Sequence, residues 1–314
     1  MTTPVTPSAA NPLKLGTRRS PLAVAQAEET RRRLCAAHGW DASFVELVTV
    51  VASGDQVLDR PLAEIGGKAL WTKELDAWLA DGSIDFAVHS MKDVETERPE
   101  TLMIAAVLPR EDVRDVLVGA ESVAAIPAGA RVGTSAPRRA AQMLHARPDV
   151  TVVGFRGNVA TRLGKLEAGE ADVTLLAAAG LNRLGETSVG SPLDPETWLP
   201  APAQGAIGVE CLAARTDIVA LLSAIDHKPS HAAIDAERGL LRGLGGTCHS
   251  PIAVLTTAEG DTLTVRAALF SPDGAERVEA SATFPASDTQ APAALAHALL
   301  SSAPEAIRRH FTGS

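Results

Sequence analysis

Residues 84–93, I-D-F-A-V-H-S-M-K-D, are an apolar run that stops abruptly in polar side chains. Ile84, Phe86, Ala87 and Val88 follow a helical pattern and a Gly82-Ser83 break, which reads as a buried strand of an α/β sheet. Ligands of open α/β sheets sit beyond the carboxyl ends of the strands. His89, Ser90, Lys92 and Asp93 therefore stand where a ligand would be handled. Taken alone, these residues fit equally well a strand that ends in a solvated Lys-Asp pair.

The chain repeats this strand-then-helix design. A strand is expected at 13–16, followed by the loop T-R-R-S-P and a helix to about 37. Ser20 suits its N-cap, Pro21 its first position and Gly39 its stop. Arg18 then lies beside a helix N-terminus, which favours anions. Residues 44–51 are almost continuously apolar, as in a parallel strand covered on both faces. Residues 53–68 are polar and glycine-punctuated, the pattern of a lid or a disordered loop. Trp71, Leu75, Trp78 and Leu79 then recur at helical spacing. Further strands are expected at 101–107, 116–118, 131–133, 151–153, 173–176 and 206–211, and helices at 137–145, 158–167, 177–184 and 213–225.

From about 229 the pattern changes. A helix at 230–244 precedes alternating runs at 252–256, 263–270 and 276–284, with a hairpin turn at Glu259-Gly260-Asp261 and a last Ala-rich helix at 291–309. The chain thus reads as a disordered tail (1–12), a first α/β domain (13–109 plus 206–226), a second α/β domain (110–205) and a small α+β domain (227–314).

At 314 residues and 46% hydrophobic, the chain can bury cores for two or three domains. No apolar run reaches the length of a membrane span. Cys35, Cys211 and Cys248 are odd in number, far apart and without metal-ligand spacing, which suits a reducing cytoplasm without disulfides or metal. A net charge of −9 argues against nucleic-acid or membrane partners, and 3% aromatics with no Tyr leaves no platform for stacking bases. Between 131 and 183, however, eight Lys/Arg stand against four Asp/Glu, which suits a small anion.

Two strand-to-helix junctions carry that basic charge. G-T-S-A-P-R-R (133–139) supplies the hydroxyls of Thr134 and Ser135, a helix-starting Pro137, and Arg138 and Arg139, whose guanidinium forks can grip carboxylates bidentately. F-R-G-N-V-A-T-R-L (155–163) places Arg156 and Arg162 on either side of a helix start, and Arg183 lies near another helix end. There is no Walker loop and no G-x-G-x-x-G, so a carboxylic acid is favoured over a nucleotide phosphate. Cys248 lies in a glycine-rich loop, G-G-T-C-H-S-P-I (245–252), whereas Cys35 and Cys211 lie within a helix and a strand as packing residues.

These motifs, with T-R-R-S-P-L-A (17–23), G-G-K-A-L-W-T-K-E-L (66–75), A-V-H-S-M-K-D (87–93) and P-A-Q-G-A-I-G-V-E (202–210), resemble the porphobilinogen deaminase, or hydroxymethylbilane synthase, family in content and order. The resemblance runs from Leu13 into the last domain and weakens after about Phe270. It implies a transferase of porphyrin, tetrapyrrole and haem biosynthesis. Such an enzyme joins four porphobilinogen molecules head to tail on a covalent dipyrromethane primer and releases ammonia at each step. It implies two α/β domains like the halves of a periplasmic binding protein, a small C-terminal α+β domain, and a cytoplasmic monomer without metal, nucleic-acid or membrane partners.

Residue by residue, the resemblance assigns the primer's thioether to Cys248 and the catalytic carboxylate to Asp93, helped by Lys92 and Arg18. Ser20, Lys92, Asp93, Ser135, Arg138 and Arg139 would hold the cofactor, and Arg18, Gln26, Arg156, Arg162, Arg183 and Gln204 the substrate. Lys68 and Trp71 would belong to a lid. Three positions depart from the pattern: Ala136 for a serine, Glu95 for the proline that follows M-K-D-V, and Trp71 for phenylalanine. A non-catalytic carboxylate receptor would use the arginines but not Asp93 and Cys248 together. A nucleic-acid binder would show steeply salt-dependent binding to oligonucleotides.

Overall fold

The computed structural model describes residues 6–50, 72–247 and 249–311. In chain order it begins with β1 (Leu13–Arg18), α1 (Pro21–His38), β2 (Val45–Val50), α2 (Lys73–Asp81), β3 (Phe86–Ser90) and β4 (Leu102–Val107). Next come β5 (Asp115–Val118), β6 (Arg131–Gly133), α3 (Pro137–Ala146), β7 (Thr151–Val153), α4 (Val159–Glu167), β8 (Val173–Ala177), α5 (Ala178–Leu184) and β9 (Ser191–Pro192). The chain continues with β10 (Ile207–Leu212), α6 (Thr216–Leu222) and α7 (Lys228–Leu244). It closes with β11 (Ile252–Glu259), β12 (Thr262–Phe270), β13 (Arg277–Pro285), α8 (Ala291–Ser302) and α9 (Glu305–Arg308).

These elements form two compact units, Met1–Glu111 with Ala206–His231, and Asp112–Gly205 with Ala232–Ser314. The first unit holds one sheet, ordered β2-β1-β3-β10-β4. β1 pairs parallel with β2 and β3, while β10 runs antiparallel between β3 and β4. The late strand therefore completes the first sheet, as its apolar sequence suggests. Leu15, Phe86, Val88 and Val209 share a core with Ala27 and Leu34 of α1 and Ile218 and Leu222 of α6. α1 begins where the sequence marks it: Ser20 Oγ accepts the Ala23 N–H, and Gly39 closes the helix in the left-handed region at φ 68°.

The second unit repeats the plan in a sheet ordered β7-β6-β8-β5-β9, with three parallel strands and an antiparallel neighbour. It also contains the antiparallel sheet β11-β12-β13, covered by α7 and α8 around Leu240, Leu244, Val254, Val265, Leu295 and Leu299. Ala141 and Leu199 pack with Ala253, Ala268 and Phe270, so this α+β layer and the second α/β layer share apolar contacts within one unit. The fold is α/β with a C-terminal α+β part.

Local chemistry explains two differences from the sequence pattern. The expected helix 291–309 is two helices, because Pro304 cannot donate a backbone N–H and Ala303 before it is extended at ψ 137°. Residues 6–12, expected within a disordered tail, include a tight turn in which Ser8 and Asn11 exchange backbone bonds of 3.1 and 3.0 Å over a buried Pro7.

Candidate active site

The first unit gathers polar residues at the carboxyl ends of its parallel strands. The register sets Gly16 of β1 beside Ala87 of β3, so Arg18 and the His89-Ser90 pair end at the same edge. Gln26, buried on α1, donates from Nε2 to Ser90 Oγ at 2.8 Å. Beyond Ser90 the chain makes a 3-10 turn, Met91–Asp93. Met91 is buried, and its N–H donates to Ala206 O at 3.0 Å. Lys92 and Asp93 are half-buried on this turn. Among the described residues, the Asp93 carboxylate is ion-paired with no cation.

Behind the turn lies a charge cluster that single residues did not announce. Arg98 donates to both oxygens of Glu210 at 2.8 and 2.7 Å, to Asp76 at 2.5 Å and to Glu95 at 2.8 Å. His89 Nε2 lies 3.1 Å from Glu210 Oε2. Burial alone would raise the Glu210 carboxyl, but hydrogen bonds and charge from His89 and Arg98 outweigh it and hold the carboxyl at about 2. The folded value lies below the unfolded one, so the stabilisation is complete above about pH 4.5 and is lost as pH falls toward 2. It is on the order of 3 kcal/mol. Glu210→Gln is expected to show a shallower loss of urea stability between pH 5 and pH 2 than the parent chain. Parallel pH curves would contradict the assignment.

In the second unit the two predicted junctions lean on each other. Thr134 N–H donates to Val153 O at 3.0 Å, and Phe155 N–H donates to Ser135 Oγ at 2.9 Å. Gly133 is required here, because a side chain would drive into the Phe155 ring. Asn158 caps α4 through the Thr161 N–H, and Arg162 Nε donates to Gly157 O at 3.0 Å. Arg156, Arg162 and Arg183 are half-buried, and Arg183 Nη2 donates to Gly205 O at 3.0 Å.

Arg138 and Arg139 are both buried on α3 and turn inward to Asp115, at 2.8 and 2.7 Å, a pairing that the sequence does not announce. Arg138 Nη1 also donates to Leu199 O and Arg139 Nη1 to Leu175 O. Asp115 further accepts from Trp198 Nε1 at 2.9 Å and Gln204 Nε2 at 3.0 Å. Burial opposes its charge, but the two guanidiniums outweigh this and hold the carboxyl far below its usual range. An aspartate at the head of the apolar run V-L-V demands partners only once the strand is known to be buried, and in the sequence alone it reads as solvent-facing. Arg138 Nε is buried without a partner among the described residues, one donor still to be satisfied.

Cys35 and Cys211 are buried, and burial pushes the Cys211 thiol up to about 11. Lys68, Trp71 and Cys248 lie outside the described residues. A cavity of about 450 Å³ is lined by Pro137 and Ala140 of α3 on one side and by Thr247, His249 and Ser250 on the other. Among the described residues no His/Cys/Asp/Glu group is placed to hold a metal ion, and no helix is long and apolar enough to cross a membrane.

Arginines and hydroxyls at the strand ends of each unit, with an Asp93 carboxylate that is ion-paired with no cation among the described residues, are the chemistry of an α/β enzyme for an anionic small molecule. Residues 13–220 match the family model described as porphobilinogen deaminase, dipyromethane cofactor binding domain, and residues 231–301 its C-terminal domain. The porphobilinogen deaminase of Sphingopyxis alaskensis is 53% identical over 307 residues, covering 96% of this chain and 97% of that one. That of Paracoccus denitrificans is 50% identical over 285 residues, covering 90% and 91%. The VFT2 domain of Bordetella pertussis BvgS (double mutant F375E/Q461E) is similar over 71% of this chain and 91% of that one, with 17% identity and a TM-score of 0.40. The chain belongs to the porphobilinogen deaminase family.

Proposed function

We propose that the chain carries out its family's reaction with Asp93 as the catalytic carboxylate. The reaction condenses four porphobilinogen molecules head to tail, releases ammonia at each addition and yields the linear tetrapyrrole hydroxymethylbilane. The chain is a transferase of porphyrin and haem biosynthesis that uses a dipyrromethane cofactor. The observation that carries the Asp93 assignment is its place on the turn after β3, half-buried and without a cation of its own among the described residues.

The residues present fit a group bearing several carboxylates. Arg138 has a buried Nε without a partner among the described residues, and Ser135 is exposed at the same strand end. Ser20, Lys92, Asp93, Ser135, Arg138 and Arg139 are the residues assigned to hold the cofactor. Because Asp115 already takes one side of each guanidinium, Arg138 and Arg139 offer their remaining donors and a net charge of about +1 rather than +2. With Cys35 and Cys211 buried, Cys248 is the cysteine assigned to the thioether. When bound, the cofactor supplies the nucleophilic pyrrole carbon on which the chain is built.

Loss of ammonia from porphobilinogen leaves a cation. A fixed carboxylate at Asp93 stabilises that charge, accepts the pyrrole N–H and assists proton transfer. Lys92 and Arg18 are the cations assigned to help it, and Arg156, Arg162, Arg183 and Gln204 the residues assigned to hold carboxylate side chains. Gln26 acts through Ser90, to which its amide is bonded. The acidic net charge and the few aromatics argue against a nucleic-acid partner, the scattered cysteines suit a reducing cytoplasm without a metal site, and a monomer is what the family resemblance implies.

Arg156→Ala and Arg162→Ala each remove a cation whose charge-assisted bonds are worth ~1.5–3 kcal/mol. Elongation should slow roughly tenfold to a hundredfold, and covalent intermediates shorter than the full chain should accumulate by mass. Normal elongation in both variants would move the carboxylate sites elsewhere.

A further inference from the structure

Asp93 sits on a short turn, and the chain beyond it has to reach β4 without regular structure. Such a segment holds a side chain in one place only if something fixes both of its ends. The near end is fixed by the sheet: Met91 N–H donates to Ala206 O, and Met91 packs against Gly208, where a side chain would collide with its sulfur. The far end is fixed by Arg98, five residues after Asp93.

The Arg98 side chain is 9% exposed. Its guanidinium bridges three elements: Glu210 in β10 through a bidentate pair, Asp76 in α2, and Glu95 on its own segment at 2.8 Å. Thr72 closes the ring. Its Oγ donates to Glu95 Oε2 at 2.9 Å and accepts from Arg98 Nη1 at 3.1 Å. Glu210 pairs with Ala87 in the strand that leads into the turn, so the same sheet holds both ends. Burial alone would lower the Arg98 guanidinium, but its bonds to Glu210 and Asp76 outweigh that and keep it charged.

Position 95 is also where this chain departs from the M-K-D-V-P pattern. A proline would stiffen the segment through its ring and would require an extended residue before it. Val94 has that conformation, φ −88° and ψ 132°, although glutamate follows it. The backbone is therefore in the state a proline would impose, and a side-chain bond is present where the ring is not.

We propose that Glu95 and Arg98 are positioning residues for Asp93, a salt-bridge clamp that fixes the segment a proline would otherwise fix. This rests on the assignment of Asp93 as the catalytic carboxylate. Glu95 is the informative residue, because its side chain is 22% exposed and its removal leaves Arg98 paired with Glu210 and Asp76. Removing Arg98 instead would strand three carboxylates together, so Arg98→Lys is the milder second variant.

The test uses the cofactor-loaded enzyme with Glu95→Ala, Glu95→Pro, Arg98→Lys and Asp93→Asn side by side. Glu95→Ala should fold, with a melting temperature within a few degrees of the parent, and carry the same covalent mass. Its kcat should fall about tenfold with KM within twofold, since a small misplacement of a catalytic group costs up to ~100-fold. Amide exchange over 93–98 should quicken. Arg98→Lys should show the same split. Glu95→Pro, which lacks the carboxylate but restores stiffness, should return kcat to within about twofold of the parent and slow the exchange again. Parent-like kcat in Glu95→Ala beside an inactive Asp93→Asn would overturn the clamp alone. A Glu95→Pro as slow as Glu95→Ala would show that the carboxylate matters for its charge and would also overturn it. An active Asp93→Asn would remove the assignment on which the clamp depends, and the clamp with it.

Discussion

Asp93→Asn should fold normally, acquire its covalent cofactor less completely and lose turnover by about 10²–10⁴, the contribution of one well-placed acid-base or electrostatic group. The substitution keeps the shape of the side chain and removes only its charge. Because no cation is ion-paired with Asp93 among the described residues, no buried counter-charge is stranded and thermal stability should change little. In the proposed role, what is lost is the anion that would face the cation left when ammonia departs. Ammonia release from porphobilinogen in the loaded variant is the measurement. Release near the parent rate would remove Asp93 from the chemistry.

Asp115→Ala should be the most destabilising single change in the second unit. It leaves two buried guanidiniums, the Trp198 indole N–H and the Gln204 amide without their common acceptor. Breaking a buried ion pair from one side costs about 3–5 kcal/mol, because the remaining charge has no compensation. The drop should be visible as a lower urea midpoint, and Asp115→Asn should recover only part of it. A loss under ~1 kcal/mol would mean that Arg138 and Arg139 swing outward readily and serve as the open forks their sequence spacing suggests.

These two residues mark the boundary of what the amino-acid order reveals. Asp93 was legible because it ends a local pattern, an apolar strand broken by polar residues. The helix start at Ser20, the stop at Gly39 and the hairpin at Gly260 were legible for the same reason: each depends on neighbours a few residues away. Asp115 was not, because its burial depends on arginines 23 and 24 positions later, and a lone aspartate at a strand start reads as solvent-facing. The spacing of Arg138 and Arg139 was visible, but the face of α3 that carries them was not. Arg98 and Glu210 are 112 positions apart and meet only because β10 inserts beside β3. Glu95 looked like a mere departure from a family pattern until its bond to Arg98 gave it a task.

Stability and catalysis are thus joined through charge. Each unit buries an ionic hub, Arg98 with Glu210 in one and Asp115 with two arginines in the other. Such hubs contribute less net stability than apolar packing of the same volume would, but they fix the direction of the side chains around them. That fits a site whose groups must stay in register as a charged chain grows.

The intact mass of the purified protein, with peptide mapping, tests the central assignment most directly. An excess equal to two porphobilinogen units less two ammonias, located on Cys248, is the predicted result. A bare-chain mass that stays bare after incubation with porphobilinogen, or an adduct on another residue, would contradict it.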